Sequence, residues 1–141
     1  MATPGGVIVH VDNRDIFTYN SVAATAYTEG GWVMWSADNT VTPCTAENDI
    51  PVGVLLTSWT TTENATQRPV QVIRRGIVRV RCNAAVTRSV YLHIGATNFR
   101  AEGTTTAADP VFGMCETAQA TAGSLFLAAI DCYAIRPYAI T

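Results

Sequence analysis

The strongest constraint in this sequence is its punctuation. Short apolar stretches are interrupted by Gly, Pro, Asn and Asp roughly every ten residues, the rhythm of an all-β sandwich or barrel. Gly31-Trp32-Val33-Met34-Trp35 is one such stretch, closed by the turn pair Asp38-Asn39. Ile50-Pro51-Val52-Gly53-Val54-Leu55-Leu56, Ser89-Val90-Tyr91-Leu92-His93-Ile94, Val111-Phe112-Gly113-Met114-Cys115 and Ser124-Leu125-Phe126-Leu127-Ala128-Ala129-Ile130 are others. Thr, Ala and Val dominate while Leu is scarce, which suits pleated, half-buried surfaces. Ala23-Ala24-Thr25-Ala26 suggests a helical turn, but it is too short to stand alone.

The order of these stretches predicts an organisation. Pro4-Gly5-Gly6 opens a weakly structured start, and Val7-Ile8-Val9-His10-Val11 follows with its three valines on one face. This segment reads either as an arm that adds to the edge of another sheet or as the first strand of the domain's own sheet. The division adopted is an N-terminal arm over residues 1–15 and a β-domain over residues 16–141. Residues 57–68 and 103–108 read as polar loops, with 98–100 short and extended. Residues 69–82 form a hairpin or a bent strand, marked at Gly76. Val70, Val72 and Arg74 share one face, and Gln71, Ile73 and Arg75 the other; further on, Val78, Val80 and Cys82 oppose Arg79 and Arg81.

An internal echo accompanies this order. Val33-Met34-Trp35-Ser36-Ala37, Val41 and Asp49-Ile50-Pro51-Val52-Gly53 match Tyr91-Leu92-His93-Ile94-Gly95, Phe99 and Asp109-Pro110-Val111-Phe112-Gly113, with a drift of two residues between the copies. The expectation is either a duplicated half-barrel or a chance likeness within a β-rich chain.

Charge narrows the function. Of the 141 residues only 14% are charged, and all nine basic residues are Arg. The formal net charge of −2 argues against a nucleic-acid partner, which needs a basic excess. No apolar run reaches the ~20 residues of a membrane helix, so no membrane partner is expected. The first six residues lack the pattern of a signal peptide, which predicts synthesis in the cytoplasm. Cys44, Cys82, Cys115 and Cys132 lack CxxC spacing and read as buried free thiols rather than a zinc site. Asn64-Ala65-Thr66 reads as a chance glycosylation sequon.

Catalytic patterns are missing. His10 and His93 have no nucleophile motif nearby, and Gly-x-Ser-x-Gly and Walker-type loops do not occur. Without Lys there is no Schiff-base chemistry. The chain is read as a non-enzyme with no catalytic residue, metal ligand, cofactor or small-molecule substrate. The dense arginines Arg74, Arg75, Arg79 and Arg81 read as a docking strand that forks to carboxylates, or as a solvated strand face.

With Gly31-Trp32-Val33, Pro51-Val52-Gly53-Val54, Arg75-Gly76-Ile77-Val78, Phe112-Gly113 and Ser124-Leu125-Phe126-Leu127 in view, the chain resembles the head decoration, or capsid cement, proteins of tailed bacteriophages. The Ala2-Thr3-Pro4 start and the Ala/Thr/Gly/Val-rich composition belong to the same likeness. The resemblance implies a small β-barrel or β-tulip that trimerises and binds the outer surface of a capsid. It implies the major capsid protein as partner and the virion as location. On this reading Val7, Val9 and Val11 of the arm and Arg74, Arg75, Arg79 and Arg81 meet the shell. The alternative is a receptor- or glycan-binding module of a phage fibre, in which Trp32 or Trp35 stacks on sugars.

Overall fold

A computed structural model describes residues 7–95, 99–107, 109–133 and 135–137. Residues 1–6, which open the expected arm, lie outside this set. The described residues form strands, turns and one 3-10 turn (Asn13–Asp15), with no α-helix among them.

A closed barrel and a six-stranded sheet, with a small β-ribbon of two strands beside them, make up the described residues. The first half holds β2 (Ile16–Ser21), β3 (Trp32–Ala37), β4 (Thr40–Pro43), β5 (Gly53–Leu55) and β6 (Pro69–Ile73), closed into a barrel in the order β2-β4-β3-β5-β6. The second half holds β7 (Arg75–Arg81), β8 (Tyr91–Ile94), β9 (Ala101–Thr104), β10 (Pro110–Val111), β11 (Gly113–Cys115), β12 (Leu125–Asp131) and β13 (Arg136–Pro137). With β1 (Ile8–His10) at one edge, its main sheet runs β1-β7-β12-β11-β8-β9. A single parallel bridge, Cys82 to Ala101, brings the end of β7 back to β9 and almost closes a second barrel. The all-β barrel expectation therefore holds.

The two halves repeat one topology. β3 pairs antiparallel with β4 and β5 as β8 does with β9 and β11, and β2 pairs with β6 as β7 does with β12. Even the parallel contact recurs, Ser21–Val41 in one half and Cys82–Ala101 in the other. Single hydrogen bonds match too. Gly30 N donates to Leu55 O over 2.9 Å, and Ser89 N to Cys115 O over 2.8 Å. Gly30 and Ser89 share a positive φ, 79° and 69°. Gln71 N donates to Thr57 Oγ1 and Leu127 N to Thr117 Oγ1, both over 3.0 Å. Trp59 Nε1 donates to Pro69 O and Gln119 Nε2 to Leu125 O, both over 3.1 Å.

This register corrects the echo read from sequence. Val33 corresponds to Leu92 rather than Tyr91, because both pair with the glycine of the following strand, Gly53 and Gly113. One residue of slip matters, since it exchanges the inward and outward faces of a strand. The loop read from residue 103 starts later than expected: Gly103 and Thr104 close the strand Ala101–Thr104, with Ala101 and Thr104 buried. The bend in residues 69–82 falls at Arg74, where the chain leaves the first barrel for the second sheet, and β6 and β7 belong to different sheets. It is a bent crossing strand and not a hairpin.

Cores follow the pattern. Tyr19, Tyr27, Val33, Val41, Val52, Leu55, Val70 and Val72 fill the first barrel. Val78, Val80, Cys82, Leu92, Ile94, Ala101, Cys115, Phe126 and Ala128 fill the second, in one cluster with the seam residues Trp32, Cys44, Val54, Ile73, Phe112 and Cys132. Trp32 and Phe112 meet across the seam with ring centroids 4.1 Å apart. All four cysteines are buried and free, and burial pushes the Cys44 and Cys132 thiols upward. Asn64 is wholly buried: its Oδ1 accepts from Ser21 Oγ and Arg68 N, and its Nδ2 donates to Val22 O and Thr25 O. The sequon is thus a structural asparagine.

Candidate binding surfaces

The residues expected to meet a shell are dispersed by the fold. β1 pairs antiparallel with β7 of the chain's own sheet, with a register irregularity between Ile8 and His10. The simple alternation of the valines breaks there: Val7 is buried in the core, Val9 is exposed and Val11 is half-buried. Arg74 stands at the crossing between the halves. Its Nε donates to Val52 O over 3.3 Å, and its guanidinium lies over Tyr133 at 4.7 Å and Phe17 at 5.7 Å. Arg81 is spent within the fold, donating from Nε to Glu29 O over 2.9 Å and from Nη1 to Gly123 O over 3.0 Å. Arg75 is exposed at the start of β7, across from Asp131.

Arg75, Ile77, Arg79 and Arg81 alternate with buried Val78, Val80 and Cys82, so they project from the outer face of the second sheet. β12 places Asp131, Ala129, Leu127 and Leu125 opposite them in that order. Met114 lies beside Ala129, and exposed Tyr91 beside Met114. The result is a half-buried apolar face edged by arginines. The matching positions of the first half include Thr18 opposite Gln71, both polar and exposed. Sequence reading found the arginine side of this face, but its Leu127–Met114–Tyr91 side needs strand order to assemble.

A polar network crosses the seam between the halves. His93 is almost fully buried, with Nδ1 2.7 Å from Asn48 Oδ1. Asn48 Nδ2 donates to Asp109 Oδ1 over 3.0 Å, which leaves Asn48 Oδ1 as an acceptor and puts the proton on His93 Nδ1. Asp109 Oδ2 accepts from Thr104 Oγ1 over 2.5 Å, and Glu102 stands 3.7 Å from His93 Nε2. Glu47, His93 and Asp109 bring one donor atom each within 4.8 Å, a spacing that could hold a cation. The engaged oxygens of Asp109 and the engaged Nδ1 of His93 make the cluster a clamp between the 45–49 loop and β8. The first-half counterpart of His93 is the apolar Met34, so the clamp has no copy there.

A third surface lies at one end of the first barrel. Trp35 follows inward-facing Val33 but emerges at the rim, 47% exposed. Tyr19 packs against it at 4.9 Å and 70°, and Phe17 stacks on Tyr19 at 5.8 Å. Arg74 and Tyr133 continue the row, and the Tyr133 hydroxyl donates to Asp15 Oδ1 over 2.8 Å. Desolvation, and then the Asp15 carboxylate, push the Tyr133 phenol up to about 12. The spacing Phe17-x-Tyr19 was a visible signal for this row; Tyr133 joins it only through the fold. Of the two tryptophans that the alternative reading offered for stacking on sugars, Trp32 is not available. It lies on the opposite face of β3 from Trp35 and is fully buried at the seam.

No protein-family profile matches the chain, and no curated protein matches it. Among solved structures it is similar to the head fiber gp8.5 N base of bacteriophage phi29, with a TM-score of 0.64 and 17% sequence identity. The match covers 83% of this chain and 95% of that one. At this identity the likeness is one of fold.

Proposed function

We propose that the chain is a structural protein of a phage head that binds the outer surface of the capsid and reinforces it by bridging neighbouring major capsid subunits. The observation that carries this reading is the fold, shared over nearly the whole length of a phage head fiber base. A second feature agrees with it. The outer face of β7, β12, β11 and β8 has Leu127 where the first half has Gln71, leaves Tyr91 and Met114 open or half-open, and carries Arg75 at its rim. Apolar centres with Arg at the rim are what adhesive interfaces use. Trimers of the chain would multiply modest contacts into strong attachment, through effective concentration. The β1 edge, with Val9 exposed, lies beside this face and extends it. The role asks for no catalysis, cofactor or small-molecule substrate.

The test is binding of purified protein to shells that lack it. Leu127→Asp, which buries a charge at the centre of the face, should abolish binding while the free protein stays folded by circular dichroism. Arg75→Ala should weaken binding by about 1 kcal/mol or less, with a smaller salt dependence, as expected of a rim contact. Unchanged binding by folded Leu127→Asp overturns the assignment of this face. Failure of the wild-type protein to bind any shell overturns the function.

A further inference from the structure

We propose that the rim of the first barrel is a binding site for a neutral carbohydrate, with Trp35 as its stacking platform. The comparison of the halves isolates the residue. The second-half counterparts of Phe17, Tyr19 and Trp35 are Val78, Val80 and Ile94, all fully buried aliphatics. The fold therefore needs only an aliphatic side chain at each position. In the first half all three are aromatic, and the last is a large indole with nearly half its surface open. Tyr19 packs edge-on against that indole and is itself stacked on Phe17, so the orientation of Trp35 is held before any ligand arrives.

The surroundings define the ligand. Trp35, Ser36, Ala37, Asp38 and Asn39 line an open depression of about 520 Å³, shaped for a ligand that lies on the surface. Asp38 and Asn39 form the turn between β3 and β4, with Asn39 at φ 54°. Their side chains are exposed and make no hydrogen bond among the described residues. A carboxylate, an amide and the Ser36 hydroxyl thus stand beside an open aromatic face. A sugar ring matches this pair of features, since its C–H face packs on an aromatic ring while its hydroxyls donate and accept. The lining holds an acid and no cation, which disfavours phosphate, sulfate or acidic sugars. A peptide strand is disfavoured too. β3 and β4 are each paired on both sides within a closed barrel, so no edge is free to accept one.

The site uses none of the residues of the β7–β12 face, so it stands or fails apart from shell binding. The experiment is a heteronuclear NMR titration of the full chain with chitotetraose, maltotetraose and cellotetraose at millimolar concentration. At least one should shift the resonances of residues 35–39 and the Trp35 indole, leaving Trp32 and Trp59 unmoved. Trp35→Ala should weaken that binding about tenfold or more, and Asp38→Ala less, while Trp35→Phe keeps part of it. A native-like spectrum of Trp35→Ala shows that folding is not the cause, and shell binding by this variant should be unchanged. The proposal is overturned if no oligosaccharide shifts these resonances, if the shifts map elsewhere, or if Trp35→Ala binds as tightly as the parent. It is also overturned if Trp35→Ala loses shell binding instead, which would make the rim a protein contact.

Discussion

The first barrel, residues 16–73, and the second half, residues 75–131, run the same strand order with many of the same hydrogen bonds, yet they spend their outer faces differently. In the first half the outer residues Trp32, Val54 and Ile73 are sealed under the second half. Their counterparts Tyr91, Met114 and Ala129 are open or half-open. The inner faces differ the other way: where the second half has Val78, Val80 and Ile94, the first carries the aromatic row that breaks out at Trp35. Backbone pairing is thus held in common, while side chains assign one half a seam and a rim and leave the other a broad face. That division suits a module in which one surface grips and another is presented.

The largest test of this contrast is a matched pair of truncations. Trp32→Ala should cost about 4 kcal/mol of unfolding free energy, because it empties the seam against Phe112. Tyr91→Ala, at the corresponding but exposed position, should cost far less, about 1 kcal/mol. Urea unfolding of both variants measures the difference, and similar losses would show that the two faces are not used differently.

Gly53 and Gly113 probe what the halves share. A Cβ on Gly53 would overlap the carbonyl oxygen of Ile73, and one on Gly113 would lie 2.6 Å from that of the matching residue, Ala129. Close strand approach at the same point excludes side chains in both halves. Gly53→Ala should destabilise by about 3 kcal/mol and Gly113→Ala by about 2 kcal/mol, read as lowered midpoints in denaturant. If either is neutral, the close approach is not a shared requirement.

The smallest effect belongs to the threonine clamps. Thr57→Val and Thr117→Val each remove the hydroxyl that receives Gln71 N or Leu127 N. Each should cost about 1 kcal/mol or less, with the exposed Thr117 at the lower end. Faster amide exchange confined to Gln71 in one variant and Leu127 in the other would confirm that the clamps act separately.

Much of the architecture was legible because strands write a period of two into the chain. Val78, Val80 and Cys82 against Arg79 and Arg81 needed only alternation to be sorted into faces, and Asp38-Asn39 needed only turn chemistry. The repeat could be seen, and with it the match of Gly53 to Gly113, but β3 was set one residue off against β8, because a glycine's partner across a sheet is not a local property. The same limit hid the end of β9, where Gly103 and Thr104 look like loop until β8 pairs with them. Charge alone could not separate the arginines. Arg74 and Arg81 donate to backbone carbonyls of distant segments, while Arg75 faces water.

By itself, the sequence determined the all-β class, the single compact chain of short strands, the buried thiols and the two faces of β7, since each depends on local pattern and composition. Only the tertiary structure decided that β6 and β7 part company at Arg74, that Val7 enters the core, that Trp32 seals a seam while Trp35 meets solvent, and that Tyr133 joins Phe17 across more than a hundred residues. Those outcomes follow from which strands close into which barrel. Non-local pairing sets them, and no window of neighbouring residues encodes it.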